Sequence, residues 1–381
     1  MANSDFSFGG VAIPEGTQRL YITATLVPAN GDPRIQPTGF PDIGPVFYPD
    51  PSGEHGQICL IESEASMANR LEEVCVADKY TGGLLPELNG LPYIKVMKGN
   101  QFMTASTLDG HRFASEYIMK AKVQNNEAGE ENGFKKDEML VDYVKRELDG
   151  TGDNIPAANV PRVFRLAMEL DPMALIHGFP ISLKGVLTFV GLRSPRALTA
   201  SIVGLNAQPV GVPGVRIDPI GTGDAGQAIF RKERIVAETI QANFAIDVGL
   251  LTGLAVGPKT AEKESEEQKD EREKATTARR NLLLALSLWK VARFLKDLND
   301  GHRLRTECDL ALKSATYKTK WQSNDEGNDT NKDPVFPFEQ IIADGQNKGS
   351  DDKPAKGSLL DLIDKAKLPE NRSPLTLEFG G

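Results

Sequence analysis

Ser63, Ser66, Asn69 and Arg70 fall on one helical stripe of the segment IESEASMANRLEEVC, residues 61–75. Side chains three and four positions apart stack on a helix. Two hydroxyls, an amide and a guanidinium fork beside unpaired first-turn N–H groups suit a phosphate or an RNA backbone. Ser63 is the expected N-cap, because its hydroxyl can accept from one of those amides. Ala65, Ala68, Leu71 and Cys75 form the opposite, apolar stripe and are expected to pack on a core. A capped surface helix with a solvated arginine gives the same pattern, so the stripe alone leaves both readings open.

Further arginines sit in turns beside predicted elements: Arg34 in RIQPTGFPDIG, the His111-Arg112 pair, Arg193 and Arg196 in RSPRAL, and Arg303 with Arg305. Singly, each reads as a solvated or salt-bridged surface residue. Together they can line a groove that reads a nucleic-acid backbone, since guanidinium forks match phosphate geometry. Other chemistry finds no foothold. GTGDAG at Gly221 lacks the Gly-Lys-Ser/Thr of a phosphate loop. His55, His111, His177 and His302 contain no pair at metal-ligand spacing, and no Gly-x-Ser-x-Gly nucleophile motif occurs. No catalytic constellation, metal site or cofactor is expected.

Hydrophobic and charged fractions of 40% and 25% are ordinary for a soluble protein, and no apolar run is long enough to span a membrane. The N-terminus carries no basic region followed by an apolar stretch, so no secretory signal is expected. Cys59, Cys75 and Cys308 are odd in number and widely spaced, which suggests reduced thiols in a cytoplasm. The net charge of −9 argues against a uniformly basic nucleic-acid binder. Part of that charge lies between Trp321 and Lys356, where eight acidic residues outnumber four lysines. RNA binding would therefore need a localised basic track.

The elements that must position these residues can be read from periodicity. QRLYITATLVP from Gln18 alternates as a half-buried strand, and VFRLAMELD from Val163, RALTASIVGL from Arg196, IVAETIQANFAIDV from Ile235 and RLRTECDLAL from Arg303 also read as strands. Gln124 to Asp153 reads as an exposed polar insertion, and Lys259 to Arg280 as a solvated linker or helix lead-in. NLLLALSLWKVARFLKDLND reads as a helix ended by Gly301. Strand, helix, strands, then strand, helix, strand is compatible with an α+β chain of βαββαβ type carrying insertions. Beyond Trp321 the chain reads as an acidic, mostly irregular C-terminal tail with a short helix at SLLDLIDKAK.

QPTGFPDIG, ESEASMANRLE, TLDGHRFASEYI, DPMALIHG, RSPRALTASI, LLLALSLWKVARFL and HRLRTECDL, in that order, resemble the backbone subunit of the type I-G (formerly I-U) CRISPR Cascade effector, in the repeat-associated mysterious protein (RAMP) superfamily. The resemblance implies a modified ferredoxin-like, RNA-recognition-motif palm over residues 1–320, with a finger-like insertion at about 78–160 and a thumb-like loop at about 208–230. The tail 321–381 lies outside it. It implies a non-catalytic subunit that polymerises along CRISPR guide RNA as a helical array and presents the guide for pairing with target DNA in antiviral defence. Implied partners are copies of itself, the other Cascade subunits (a large subunit and a fused repeat-processing subunit) and a recruited helicase-nuclease, with no membrane. Ser63, Ser66, Asn69 and Arg70 are assigned to the guide backbone, and Arg34, His111, Arg112, Arg193 and Arg196 to the same interface. A second expectation is a metal-dependent ribonuclease resembling type III relatives, with Asp42 and Asp109 as candidates.

Overall fold

The computed structural model describes residues 5–40, 44–123, 133–135, 137–149, 159–183, 187–211, 234–260, 263–305, 307–319, 333–346, 354–369 and 372–379, with the backbone alone for 40, 160, 180–183 and 187–193. In chain order, the alternating stretch forms β1 (Arg19–Pro28), followed by the antiparallel pair β2 (Phe47–Pro49) and β3 (Gln57–Glu62) and by α1 (Glu64–Glu73). Next come β4 (Ile94–Lys98), β5 (Gln101–Ala105), β6 (Lys122–Val123), α2 (Leu140–Glu147), α3 (Val160–Leu170) and α4 (Pro172–His177). The hairpin β7 (Phe179–Leu183) and β8 (Leu187–Ser194) leads to β9 (Leu198–Leu205) and β10 (Thr239–Asp247). The long α5 (Glu266–Asn299), β11 (Leu310–Lys318), α6 (Phe338–Gln346), α7 (Leu359–Lys365) and β12 (Leu375–Glu378) complete the described elements used below.

The main sheet has the order β11-β1-β10-β9-β3-β2, and every neighbouring pair is antiparallel. Within it the sequence β1, α1, β9, β10, α5, β11 runs strand, helix, strand, strand, helix, strand, with the last strand beside the first and the third between first and second. Two-residue periodicity aligns apolar side chains across the strands. Leu20, Ile246 and Leu198 form one buried row, and Ile22, Phe244 and Ala200 the next. α1 packs on β9, α5 packs on β11, and the two helices touch. Phe244 meets Phe294 of α5 edge to face, 5.9 Å between ring centres. Burying one such side chain contributes about 1.5–3 kcal/mol.

The mixed-charge run read as a linker or lead-in is helical from Glu266, because Ser265 Oγ accepts from Gln268 N at 3.2 Å while Gln268 Oε1 accepts from Ser265 N at 2.9 Å. That reciprocal pair satisfies two amides that would otherwise start the helix unpaired. VFRLAMELD is the helix α3, not a strand: Val163, Leu166, Ala167 and Leu170 are buried at helical spacing. The strand expected from Arg303 begins at Leu310, because Arg305 and Cys308 bridge a tight turn in which Glu307 has φ +62°. The stretch from Gln124 is not simply exposed, since α2 buries Leu140, Val141, Tyr143 and Val144.

The region read as an irregular tail also enters the fold. β12 lies between β4 and β6 in a second sheet of order β5-β4-β12-β6, running parallel to β4 with Ile94 opposite Leu375 and Val96 opposite Leu377. Ile341, Ile342, Leu359, Ile363 and Leu377 are buried, and Arg372 donates to Tyr143 Oη at 3.0 Å. A boundary at 321 therefore cuts through packed structure. The thumb-like stretch lies outside the described residues from 212 onward.

Candidate nucleic-acid interface

α1 begins at Glu64, directly after the expected N-cap, and Ile61 and Glu62 before it complete β3. Ser63 is the N-cap: its Oγ accepts from Ser66 N at 3.3 Å. Met67, Ala68 and Leu71 make the buried face, whereas Ala65, placed on the apolar stripe, is exposed because Met67 reaches the core in its stead. Ser63 and Ser66 are half-buried and Asn69 is exposed, so the polar stripe faces outward.

Arg70 is half-buried and tied at both ends of its fork. One nitrogen meets Glu73 Oε2 at 3.3 Å, and another donates to the backbone carbonyl of Leu304. Glu73 also holds Lys79. Arg70 and Lys79 in turn repel a proton from His302, whose pKa is lowered chiefly by burial and then by Arg70. The loop after α5 is thereby fixed beside the helix that carries the stripe.

A second group gathers where this loop meets the strand that precedes α1. Arg305 Nε lies 3.2 Å from Glu62 Oε1, and Glu62 has no exposed surface. Arg234, absent from the sequence-based candidates, pairs with Glu307 at 2.8 Å. Arg34 is exposed and pairs through both oxygens of Asp32, 2.7 Å at the shortest; that hydrogen bonding holds the Asp32 carboxyl down at about 2. Ile35 pairs with Ile235, and Gln36 N donates to Glu307 O at 2.8 Å, so Arg34 belongs to the same cluster of loops. Arg234 could have been found only from this pairing, because an arginine opening a strand carries no signal of its own.

His111 and Arg112 separate. His111 is exposed, 3.8 Å from Asp109. Arg112 is buried and has φ +56°, a conformation uncommon for a residue with a side chain. Its guanidinium donates to Gly178 O at 2.7 Å and meets Glu72 at 2.5 Å. It ties the inner face of α1 to the segment after α4, so its expected place at the interface is corrected. Arg196 is exposed and has no ion pair among the described residues. Arg193 lies on β8 opposite Pro180, and its side chain is not among those described.

Beside α1, Asn69, Glu72, Glu73, Lys79, Thr107 and Asp109 line a groove of ≈ 410 Å³. Asp109, named for metal-dependent cutting, accepts from Ser115 Oγ at 2.6 Å and from His111 N at 2.9 Å, which closes its own turn. Asp42 lies outside the described residues. Among the described residues no group of three His, Cys, Asp or Glu side chains is placed to hold a metal ion.

Residues 20–209, just under half of the chain, match the family described as CRISPR-associated protein GSU0053 (Cas_GSU0053). That span contains β1 from Leu20 onward, α1 and β9, together with all nine residues assigned to the interface. Among solved structures, a chain of a CRISPR RNA-guided surveillance complex in a pre-nicking state is similar at 11% identity and a TM-score of 0.33, covering 78% of this chain and 75% of that one. Comparison with curated proteins gives no match. Among the described residues no helix is long and apolar enough to cross a membrane.

Proposed function

We propose that this chain is a non-catalytic, guide-RNA-binding backbone subunit of a Cascade-type CRISPR effector, of type I-G. The observation that carries the reading is the match of residues 20–209 to a CRISPR-associated family. The sheet supports it: an antiparallel β11-β1-β10-β9 order with α1 and α5 connecting the strands has the connectivity of a ferredoxin-like or RNA-recognition palm. α1 presents Ser63, Ser66 and Asn69 outward, with Arg70 held at their edge. In this reading the stripe and the Arg34 loop grip the guide backbone without reading its sequence, and base pairing selects the target. Copies align head to tail along the RNA and contact the remaining Cascade subunits in the cytoplasm.

The test is RNA binding at varied salt. Single-stranded RNAs of unrelated sequence should bind with similar affinity, and longer RNAs should recruit more copies. Arg70→Ala should weaken all of them alike and flatten the slope of log affinity against log salt by up to about 0.7, the single-strand value for one phosphate contact. A folded wild-type protein that ignores RNA of every length would overturn the reading. A variant with unchanged slope would remove Arg70 alone from the interface.

A further inference from the structure

Lys290 lies in the middle of α5 with no exposed surface. Lysine is almost never buried without a partner. Its ammonium donates to the Leu71 carbonyl in the last turn of α1 at 3.2 Å and lies 2.9 Å from Sγ of Cys75, just beyond that turn. The carbonyl contact follows from the partial negative charge at a helix C-terminus. The sulfur contact has no counterpart at the other two thiols: Cys59 and Cys308 are buried, and neither has an amine within hydrogen-bond distance among the described residues. Sulfur is larger than oxygen, so 2.9 Å, the ordinary length of an N–H···O bond, is close for nitrogen against sulfur. One oxygen atom can span that gap; a direct bond would need the atoms to move together.

We propose that Cys75 and Lys290 form an oxidative modification site, in which hydrogen peroxide links the two side chains through a single oxygen as Sγ–O–Nζ. The Cys75 sulfur attacks one peroxide, breaking its O–O bond, to give a sulfenic acid and water. The Lys290 ammonium gives up one proton to water, and the resulting amine attacks a second peroxide, breaking its O–O bond, to give a hydroxylamine and water. The sulfenic acid and hydroxylamine then condense with loss of a third water. Two peroxides are thus reduced for four electrons taken from sulfur and nitrogen, and the protein gains one oxygen and loses two hydrogens.

The surroundings bear on the sulfur's proton. Burial pushes the Cys75 thiol up, and Lys290 then Glu72 and Asp171 act on it electrostatically, so two carboxylates stand close enough to influence its proton. Both line a cavity of ≈ 10 Å³ with Ser106, Thr107, Arg112 and Met173, and the Glu72 side chain retains some exposure. The product would pin the last turn of α1 to α5 behind the outward stripe. This inference does not rest on the RNA-binding reading.

The experiment treats the full-length protein with hydrogen peroxide and maps it by intact mass and by peptide mass spectrometry. The expected result is a gain of one oxygen less two hydrogens, a linked pair of peptides carrying Cys75 and Lys290, and its loss on treatment with excess thiol. Lys290→Met and Cys75→Ala should each lose the linked pair completely; should either fail to fold, the wild-type map still decides. Oxidation of Cys75 to sulfinic acid with Lys290 unmodified, no modification at Cys75, or a loss of two hydrogens without added oxygen would each overturn the proposal.

Discussion

Replacing Asp171 by asparagine should stabilise the protein above neutral pH and leave it little changed in acid. Asp171 joins α3 to α4, is 1% exposed, and neither carboxyl oxygen has a hydrogen-bond partner. Burial raises its pKa from 3.8 to about 7; Arg112 and Ser106 attract the charge without meeting it in a well-formed bond. The folded state therefore holds the proton more tightly than the unfolded chain. Between 3.8 and about 7 the folded form is protonated and the unfolded form is not, so this group's contribution is full below that window and is lost as pH rises through it. Over that interval the loss amounts to about 4 kcal/mol, from about 1.4 kcal/mol per pH unit. The asparagine side chain has no charge to strand, so the variant should exceed wild type by up to about 4 kcal/mol at pH 8, a ceiling because Arg112 and Lys290 lose an attracting anion. His177 works in the opposite sense: burial lowers its pKa well below 6.5, so its stability is lost in acid, but both proteins share it and it cancels in the difference. Urea denaturation of both proteins from pH 5 to 9 measures that difference. A difference that stays flat with pH, or a variant less stable than wild type at pH 8, would refute the reasoning.

Ending the chain after Gln346 should prevent folding, because it removes β12 from between β4 and β6 and exposes their edges; a soluble product with native circular dichroism and melting would contradict this. Arg112→Ala should cost roughly 3 kcal/mol or more in chemical denaturation, since it leaves Glu72 half-buried without its partner. The same variant, where folded, should retain the wild-type salt slope for RNA, and a flattened slope would return Arg112 to the interface.

The three core strands β1, β9 and β10 were legible because one side of each meets helices and the other does not, which writes a two-residue period into the sequence. α3 was not. Its run of apolar residues fits either period locally, and the deciding feature, Arg165 bonded to Glu169 four positions on at 3.3 Å, places both charges in the interior rather than on an outer face. The C-terminal region hid for a different reason: its polarity is real, but the few apolar residues of β12 find their place beside β4, far away in sequence, and no local pattern records that pairing. Among the candidate site residues, Ser63 was readable as a cap because capping is local. Arg112 was misread because its burial depends on Glu72 from another element.

Under the guide-binding reading, net negative charge and RNA binding are reconciled by which arginines can change partners. Arg34 sits in open solvent with Asp32, where water and salt screen the pair, so exchanging that carboxylate for a phosphate costs little. Arg70 retains its bond to the Leu304 carbonyl when it lets go of Glu73, and Lys79 remains to hold Glu73, so its release strands no charge. Arg305 differs. Its partner Glu62 has no exposed surface, and withdrawing the guanidinium would leave a buried carboxylate alone at a cost far above that of a surface exchange. Under the guide-binding reading, the salt dependence of RNA affinity should therefore fall on removing Arg34 or Arg70 and remain when Arg305 is replaced in a variant that still folds. Replacing both partners, Arg305→Gln with Glu62→Gln, removes the guanidinium without stranding a buried carboxylate and is the variant to measure. A slope that drops with that double variant but not with Arg34→Ala would mean that the buried pair, rather than the exposed one, opens to the phosphate.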